Sequence, residues 1–219
     1  MHAAGILYNS FMLTIAIQAG GESRRMGLNK ALSPFLGQLL IQRIVDQFSA
    51  VADEIIITTN QPEKFRFLGL PMFQDVLPGK GALGGLYTAL LHAGQPLLGV
   101  VACDMPFANP ALLQHQAELM GRSDIVIPLL PGGYEPMHAV YRRATCLPVV
   151  EQALQGNQLK IISLFPSLRV HPISREECLQ FDPDELSFIN VNTPQELQAA
   201  EATALARLSA PPAPGRERD

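Results

Sequence analysis

A short apolar run that opens directly into a glycine-rich, basic loop constrains the fold of this chain more than any other feature. The run is Leu13-Thr14-Ile15-Ala16-Ile17, and residues 20–30 follow it with the sequence GGESRRMGLNK. Glycine lets the backbone approach an anion closely, because it has no Cβ and tolerates positive φ. The N–H groups of such a turn bind anions, and basic side chains add positive charge. The pattern predicts a buried strand followed by a phosphate-binding loop.

The glycine spacing of this loop excludes two familiar nucleotide-binding motifs. It matches neither GxxxxGK[ST] of the P-loop nor GxGxxG of the dinucleotide fingerprint. A different class of nucleotide-binding site is therefore indicated. Within it, we expect Lys30 to bind phosphate oxygens and Arg24 or Arg25 to neutralise a departing pyrophosphate. The alternative is a flexible surface turn with two solvated arginines.

Composition narrows the class of protein. Hydrophobic residues make up 47% of the 219 residues and charged residues 16%, which indicates a compact globular chain. The net charge of −4 argues against a general binder of nucleic acid or of membrane surfaces. No apolar run approaches the ~20 residues that span a bilayer, and no Lys or Arg precedes Arg24 to start a signal peptide. Three dispersed cysteines fit a reducing compartment, so we expect a cytoplasmic protein.

Strand-like runs alternate with helical patterns along the first half of the chain. Ile55–Thr59 and Leu97–Ala102 are short and rich in β-branched or apolar residues, as is typical of parallel strands covered on both faces. Helices are predicted over Gln38–Ser49, over Gly85–His92, and over Pro110–Met120 with Asn109 as its N-cap. This rhythm predicts a three-layer α/β/α Rossmann-like domain with a mostly parallel central sheet.

The second half of the chain is less regular. Asp124–Leu130 and Met137–Tyr141 flank a proline-glycine-glycine turn, which predicts an antiparallel pair and hence a mixed sheet. Beyond them we predict helices over Cys146–Leu154 and Leu159–Phe165, strands at Leu168–Pro172 and Ser187–Val191, and a final helix from Pro194 with Thr193 as cap and Glu196 in the capping box. We expect one domain over residues 12–208, between a loose extension at 1–11, with Met12 as an alternative start, and a disordered tail at 209–219.

Polar residues follow several of the predicted strands. Because ligands of open α/β sheets bind at the carboxyl ends of strands, these positions are candidate site residues. Asp104 follows Leu97–Ala102, where a carboxylate is placed either to hold Mg²⁺ beside substrate phosphates or to cap a turn. Asp75 is a candidate either to accept hydrogen bonds from the edge of a guanine base or to coordinate water around a metal, with an ordinary turn residue as the alternative. Asn190 and Asn192 alternate on one predicted strand, as candidates for a metal or substrate contact and for a helix cap.

Two further side chains have reactive groups. Cys103 precedes Asp104 with no base beside it, so we expect a small packing residue rather than a nucleophile. His138 lies close to Glu135 and Tyr141 in the sequence. We expect it to be a buried, hydrogen-bonded histidine, with a place in an acceptor pocket as the alternative.

Four segments, taken in order, closely resemble the molybdenum cofactor guanylyltransferases. They are Gln18-Ala19-Gly20-Gly21 with the loop up to Lys30, Asp75 with Gly79–Gly85, Cys103-Asp104-Met105-Pro106, and Phe188–Pro194. This MobA-type family lies within the glycosyltransferase-A-like nucleotidyltransferases, and the resemblance covers about residues 13–208. The double glycine and the late Asn-Val-Asn-Thr-Pro favour the guanylyl branch over its cytidylyl and sugar-nucleotide relatives.

The resemblance implies a role for each matching position. Gln18, Ala19 and Gly20 would contact the base and ribose of GTP, Lys30 its phosphates, Asp75 the nucleotide, and Asp104 both Mg²⁺ and GTP. Together with the candidates argued from the residues themselves, we expect Gly21, Asn190 and Asn192 to take part in nucleotide binding, and Arg25, Lys30 and Asp104 in catalysis. Two positions depart from the family pattern. Gln18 stands where the family usually has leucine, and Thr58 stands where relatives can offer asparagine. Whether Thr58 or Asn60 contacts the nucleotide is therefore open.

The reaction implied is the Mg²⁺-dependent transfer of GMP from GTP to the terminal phosphate of molybdenum-molybdopterin, with release of pyrophosphate. The acceptor phosphate is already anionic, so the lack of a convincing general base in the sequence agrees with this reaction. Expected partners are soluble molybdenum cofactor biosynthesis proteins and molybdoenzymes, but neither nucleic acid nor membrane. The rivals are a cytidylyltransferase for the same cofactor, a sugar-1-phosphate nucleotidyltransferase, and a non-catalytic nucleotide sensor or cofactor carrier.

Overall fold

The computed structural model describes residues 12–20 and 30–209. Its strands are β1 (Leu13–Gln18), β2 (Pro34–Phe35), β3 (Gln38–Leu39), β4 (Glu54–Thr58), β5 (Met72–Phe73), β6 (Leu97–Ala102), β7 (Ile125–Leu130), β8 (Gly133–Tyr134), β9 (His138–Arg142) and β10 (Val170–Ile173). Its helices are α1 (Leu40–Phe48), α2 (Gly81–His92), α3 (Pro110–Glu118), α4 (Arg143–Gln155), α5 (Arg175–Cys178) and α6 (Pro194–Ser209). Short 3₁₀ segments lie at Lys30–Leu32, Pro62–Lys64, Arg66–Leu68 and Ile161–Ser167.

The central sheet has the order β10-β7-β9-β6-β1-β4-β5, with β8 paired to β7. Strands β6, β1, β4 and β5 run parallel to one another, whereas β9 runs antiparallel to both β6 and β7. Strand β10 is parallel to β7. The predicted mostly parallel, mixed sheet is therefore confirmed, including the antiparallel pair in the second half of the chain.

Helices cover both faces of the sheet, and the alternation of side chains along β1 shows how. Ile15 and Ile17 belong to a core cluster with residues of α1, α3 and α6. Ala16 points to the other face, into a cluster with residues of α2 and α4. Every residue of β1 is buried, as expected for a parallel strand between two helical layers. The three-layer prediction is confirmed.

The predicted helix starts at Asn109 and Thr193 are confirmed. The Asn109 side chain accepts a hydrogen bond from the Leu112 N–H at 3.1 Å. The Glu196 N–H donates to Thr193 Oγ1 at 3.1 Å, and Glu196 Oε2 in turn accepts the Thr193 N–H at 2.9 Å. This reciprocal pair is a capping box, and it fixes the entry of the chain into α6.

The predicted strand at Ser187–Val191 is wrong. The Ser187 N–H donates to the Asp182 carboxylate and the Ile189 N–H to the Leu186 carbonyl, so the backbone turns instead of pairing with a strand. The predicted helix at Leu159–Phe165 is a 3₁₀ segment over Ile161–Ser167 that contains Pro166, which has no N–H to continue an α-helix.

Other boundaries moved by a few residues. Helix α2 begins at Gly81, four positions before its predicted start, because glycines that suggest a loop form its first turn. Helix α6 includes Ser209, and the rest of the predicted tail, like the predicted extension at 1–11, lies outside the described residues. Within the described ranges, no helix has both the length and the apolarity needed to cross a bilayer.

Three neighbouring strands end at the same edge of the sheet. Gln18, the last residue of β1, is in register with Thr58 of β4 on one side and with Ala102 of β6 on the other. The loops that follow these strands therefore start side by side, as the rule for open α/β sheets requires of a ligand site.

Candidate active site

A cavity of about 680 Å³ opens at this edge of the sheet. Its lining comes from the strand ends, the loops that follow them and the first turns of α2. It includes Gln18, Gly20, Thr58, Asn60, Asp75, Gly79, Gly81, Gly85, Cys103, Asp104, Met137 and Asn190. Gln18, Gly20, Asp75, Asp104 and Asn190, predicted from separate sequence segments, thus line one cavity.

Lys30, Asp104 and Asn192 form a compact cluster beside the cavity. Lys30 Nζ donates a hydrogen bond to Asn192 Oδ1 at 2.5 Å and lies 3.8 Å from Asp104 Oδ2. Asn192 is 162 positions from Lys30 in sequence, and the capping box of α6 holds its backbone in place. A cation, an anion and an amide are thereby brought together next to the carboxyl ends of the strands.

Asp104 is a largely buried carboxylate. Its side chain is 23% exposed, and its backbone carbonyl accepts the Val191 N–H at 2.9 Å, which ties the loop after β6 to the segment before α6. Burial raises the pKa of Asp104, and the neighbouring Lys30 ammonium partly offsets this rise. Because the lysine offsets the cost of burying Asp104 only in part, this carboxylate favours the binding of further positive charge.

Cys103 and His138 carry no chemistry of their own in this arrangement, as predicted. Burial, followed by the Asp104 charge, raises the pKa of the Cys103 thiol to about 12, so the reactive thiolate is absent at neutral pH. His138 is fully buried, and its Nε2 accepts the Asn109 N–H at 3.1 Å. Burial lowers the pKa of His138 to about 4, so this histidine is neutral at physiological pH.

Asn60 and Asp75 form a reciprocal pair of hydrogen bonds at the other end of the cavity. Asn60 Nδ2 donates to Asp75 Oδ2 at 2.8 Å, and the Asp75 N–H donates to Asn60 Oδ1 at 3.0 Å. Both polar atoms of the Asn60 amide are used, which fixes the Asp75 carboxylate relative to the end of β4. Thr58 and Asn60 both line the cavity, and Asn60 is bound to Asp75.

The loop between Asp75 and α2 is shaped by glycines and fastened to the helix. Gly79 and Gly81 have φ values of +77° and +58°, in the left-handed region that a side chain disfavours. The Val76 N–H donates to the buried Thr88 hydroxyl at 3.1 Å. Gly81 and Ala82, at the N-terminus of α2, line the cavity, so the positive end of this helix dipole faces it. Local sequence does not reveal this helix start, because glycine is a poor helix former.

Gln18, which stands where the family usually has leucine, lines the cavity. The side chain is 8% exposed and lies against Gly85 of α2, where an added Cβ would come within 2.6 Å of Gln18 Oε1. Within the described part of the chain, Gln18 Nε2 has no hydrogen-bond partner. The absence of a Cβ at residue 85 is what makes room for this amide.

The remaining candidate residues differ in where the structure places them. Asn190 lines the cavity, and its Nδ2 donates to the Phe188 carbonyl at 3.2 Å. Ala19 is buried, and its N–H donates to the Thr58 carbonyl. Asn192 was a candidate helix cap, but Thr193 caps α6 and the Asn192 side chain binds Lys30. Gly21, Arg24 and Arg25 lie outside the described residues.

The donor set fits a magnesium ion better than a metal held by protein alone. Among the described residues, no group of three His, Cys, Asp or Glu side chains is placed to hold a metal. Mg²⁺ is bound through one or two carboxylates, with waters and substrate phosphates as its other ligands. Asp104, beside a phosphate-sized space and a lysine, is a carboxylate of this kind.

Comparison with known proteins agrees with the geometry. The MobA-like NTP transferase domain family matches residues 15–168. The chain belongs to this family. It is 36% identical over 192 residues to the molybdenum cofactor guanylyltransferase of Desulfosudis oleivorans, which covers 87% of this chain and 95% of the relative. This membership makes the chain a nucleotidyltransferase.

Solved structures of this fold family superpose on most of the chain. Molybdopterin-guanine dinucleotide biosynthesis protein A from Archaeoglobus fulgidus matches with a TM-score of 0.76 and 27% identity, covering 88% of this chain and 99% of that protein. The 2-C-methyl-D-erythritol 4-phosphate cytidylyltransferase of Thermus thermophilus matches with a TM-score of 0.66 at 18% identity, covering 87% of this chain and 98% of that one. The second likeness concerns the fold alone.

Proposed function

We propose that this nucleotidyltransferase moves GMP from GTP to the terminal phosphate of molybdenum-molybdopterin, forming the guanine dinucleotide of the cofactor and releasing pyrophosphate. One observation carries the proposal: Lys30, Asp104 and Asn192 converge beside the cavity whose far end holds the fixed Asp75 carboxylate. The site thus has a place for phosphates at one end and for a base at the other. The guanylyltransferase relatives supply the identity of the two substrates.

The chemical step is an exchange at the α-phosphorus of GTP. An oxygen of the acceptor phosphate forms a bond to this phosphorus, and the bond to the bridging oxygen of pyrophosphate breaks, so the leaving group carries the electron pair away. The nucleophile is an anion from the start, so no base is required. The barrier lies in bringing two anions together and in the charge that builds up on the phosphate oxygens.

Lys30 addresses that charge. Within the described residues its ammonium makes one hydrogen bond, to Asn192, which leaves donors free for phosphate oxygens. Arg25 is a second candidate cation, for the departing pyrophosphate. Preorganised contacts of this kind are worth about 3–4 kcal/mol of barrier each, because they require no rearrangement as charge develops.

Asp104 is the residue that would hold Mg²⁺. When bound, the ion would neutralise phosphate charge and make the α-phosphorus a better electrophile. Asp104 itself is kept in place by the bond between its carbonyl and the Val191 N–H, and the nearby lysine limits the cost of its burial. Asn190, which lines the same cavity, is placed to contact phosphate or metal-bound water.

We further propose that the reaction takes place in the cytoplasm and that the product passes to soluble molybdenum cofactor biosynthesis proteins and molybdoenzymes. Cys103, Cys146 and Cys178 are free thiols, which supports a reducing compartment. Fractionation of cells that express a tagged chain, followed by affinity capture with and without GTP, tests both points.

An assay of purified protein with radiolabelled GTP or CTP, molybdenum-molybdopterin and Mg²⁺ tests the proposed function. We expect guanine dinucleotide and pyrophosphate in equal amounts, and loss of both when EDTA is added. Preference for CTP, or use of a sugar-1-phosphate in place of the pterin, would assign the chain to another transferase class. Binding of GTP without release of pyrophosphate would indicate a carrier or sensor.

Asp104→Asn is the informative variant in this assay. It should lower turnover by about 10²–10³-fold while the thermal unfolding midpoint changes little, because the amide keeps the shape but not the charge. Asp46→Asn is a matched control, since Asp46 is an exposed carboxylate on α1 bound to Gln42. Near-normal turnover of Asp104→Asn would remove Asp104 from the mechanism.

A further inference from the structure

The side-chain amide of Gln18 is a buried hydrogen-bond donor that the described residues leave unused. The residue is 8% exposed, and Nε2 finds no partner within the described residues. Buried polar groups are nearly always paired, because leaving a donor without an acceptor costs its full desolvation penalty. An unpaired amide in the wall of a ligand cavity therefore points to an acceptor supplied by the ligand.

The orientation of this amide is set by its neighbours. Gln18 Oε1 lies along a Cα–H direction of Gly85, 2.6 Å from where a Cβ would stand. Oxygen suits that contact, since a Cα–H is a weak donor, and the Nε2 end is left to offer its hydrogens elsewhere. The end of β1 holds the backbone of Gln18 rigidly, because its carbonyl accepts the Cys103 N–H at 3.1 Å.

The position of Gln18 in the cavity indicates which part of the ligand it meets. Its register partner on one side is Thr58, which leads to Asn60 and the fixed Asp75 carboxylate. A guanine base presents two kinds of group on one edge: N–H donors at positions 1 and 2, and a keto oxygen at position 6. A carboxylate and an amide N–H lining the same cavity complement this edge, whereas adenine presents a donor where guanine has its keto oxygen.

We propose that Gln18 determines base specificity, with Nε2 donating a hydrogen bond to the keto oxygen at position 6 of guanine. This inference rests on the proposed function, since it takes GTP as the substrate. It assigns a role to the side chain at the position where the family usually has leucine, a residue that has no donor. In this chain, the Gln18 side chain thereby recognises position 6 of the base by a direct hydrogen bond.

The test measures nucleotide binding by calorimetry with the full chain and Mg²⁺, without acceptor. Gln18→Met keeps the length of the side chain and removes the amide. It should weaken GTP binding about tenfold, the loss expected when a buried acceptor is left without its donor. Gln42→Met, the same change on the outer face of α1, should leave binding unchanged.

A second nucleotide locates the contact. 6-Thio-GTP retains every group of GTP except the keto oxygen, which becomes a much weaker acceptor. It should bind the natural chain about tenfold more weakly than GTP, and Gln18→Met should add little further loss, because the two changes remove the same bond. The proposal would be overturned if Gln18→Met weakened the binding of GTP and of 6-thio-GTP by the same factor. It would also be overturned if the effect of Gln18→Met on binding disappeared with 2′-deoxy-GTP instead of 6-thio-GTP.

Stability provides an independent readout. Gln18→Met removes an unpaired buried polar group, so the ligand-free protein should unfold at the same temperature or higher. A structural role for the amide predicts a lower unfolding temperature and would contradict the proposal. Because binding is measured without acceptor, a chain that binds GTP but fails to transfer GMP refutes the proposed function alone. A chain that transfers GMP with unchanged Gln18→Met binding refutes this inference alone.

Discussion

At the level of single residues, two charged groups of the site, Lys30 and Asp75, are each held by a neutral side chain that leaves part of their hydrogen-bonding capacity free. Lys30 is steered by the Asn192 amide and lies 3.8 Å from Asp104, a distance that gives charge compensation without a direct hydrogen bond. Asp75 is steered by Asn60 in the same manner. Neutral amide partners suit a site for a highly charged nucleotide, because they orient the charged side chains without neutralising their charge.

Asn60 should therefore act through Asp75. Replacing Asn60 with Ala frees the Asp75 carboxylate to rotate, so we expect the KM for GTP to rise about tenfold while kcat changes less than threefold. Steady-state kinetics with GTP as the varied substrate provide the measurement.

The Asn60→Asp variant keeps the size of the side chain but places two carboxylates together. Two like charges at this distance raise the pKa of one carboxyl group, so both are charged at pH 8 and one is neutral at lower pH. The KM of Asn60→Asp for GTP should therefore exceed that of Asn60→Ala at pH 8 and approach it at pH 5. An unchanged KM in both variants, with only a lower unfolding temperature, would reduce Asn60 to a structural residue.

At the level of elements, the sequence predicts best where local signals and tertiary packing agree. The β1 run, the Asn109 cap of α3 and the Thr193 cap of α6 each carry their own signal, and all three are present. The segment at Ser187–Val191 alternates like a strand, yet a hydrogen bond from Ser187 to Asp182, five residues earlier, turns the backbone. The distant Asp104 carbonyl then fixes its end through the Val191 N–H, a contact that no local pattern contains.

The candidate site likewise has features that the sequence predicts and features that depend on contacts between distant residues. The positions of Asp75, Asp104 and Lys30 were predictable from the strands before them and from family resemblance. The pairing of Asn192 with Lys30 was not, since it joins residues 162 positions apart. Nor was the Gln18 amide, because nothing in the sequence tells that Gly85 lies against it.

Helix α6 links stability to the site, since its capping box also holds Asn192. Glu196 Oε2 accepts the N–H groups of both Asn192 and Thr193. Thr193→Ala should cost about 1 kcal/mol of unfolding free energy, the usual cost of losing such a cap. It should also raise the KM for GTP two- to fivefold, because Asn192 holds Lys30 less firmly.

Urea unfolding and GTP kinetics on the same Thr193→Ala preparation check this prediction. Ser174→Ala is the matched control, because Ser174 caps the short helix α5 through the Glu177 N–H. It should lower stability without changing the KM. If Thr193→Ala lowered stability but left the KM for GTP unchanged, the cap of α6 would have no influence on the site.

At the level of the whole molecule, the two opposite edges of the sheet, at the two ends of its strands, have different roles. The carboxyl ends of β1, β4 and β6 form the site, while the opposite edge holds an ion pair between the buried Asp124 carboxylate and the exposed Arg169 side chain. Asp124, just before β7, accepts two hydrogen bonds from the Arg169 guanidinium, at 2.8 and 2.9 Å, and a third from the Arg169 N–H. These contacts join β7 to the start of β10.

The Asp124–Arg169 pair makes stability depend on pH in a definite direction. Hydrogen bonds from Arg169 hold the pKa of Asp124 well below its usual range. A carboxylate whose pKa is depressed by folding stabilises the protein above its unfolded pKa, and this contribution is lost as pH falls through the folded pKa. The loss should therefore begin near pH 4, the ordinary value for aspartate, and grow below it.

Asp124→Asn isolates this contribution. At pH 7 the variant should be less stable than the natural chain by about 1 kcal/mol or less, because solvent around the exposed Arg169 side chain screens its attraction to Asp124. Urea unfolding at pH 7, 5, 4 and 3 should show the gap narrowing only over the lowest steps. The KM for GTP at pH 7 should stay unchanged, since Asp124 is at the edge remote from the cavity. A gap that is constant with pH would show that shape, and not charge, makes Asp124 stabilising.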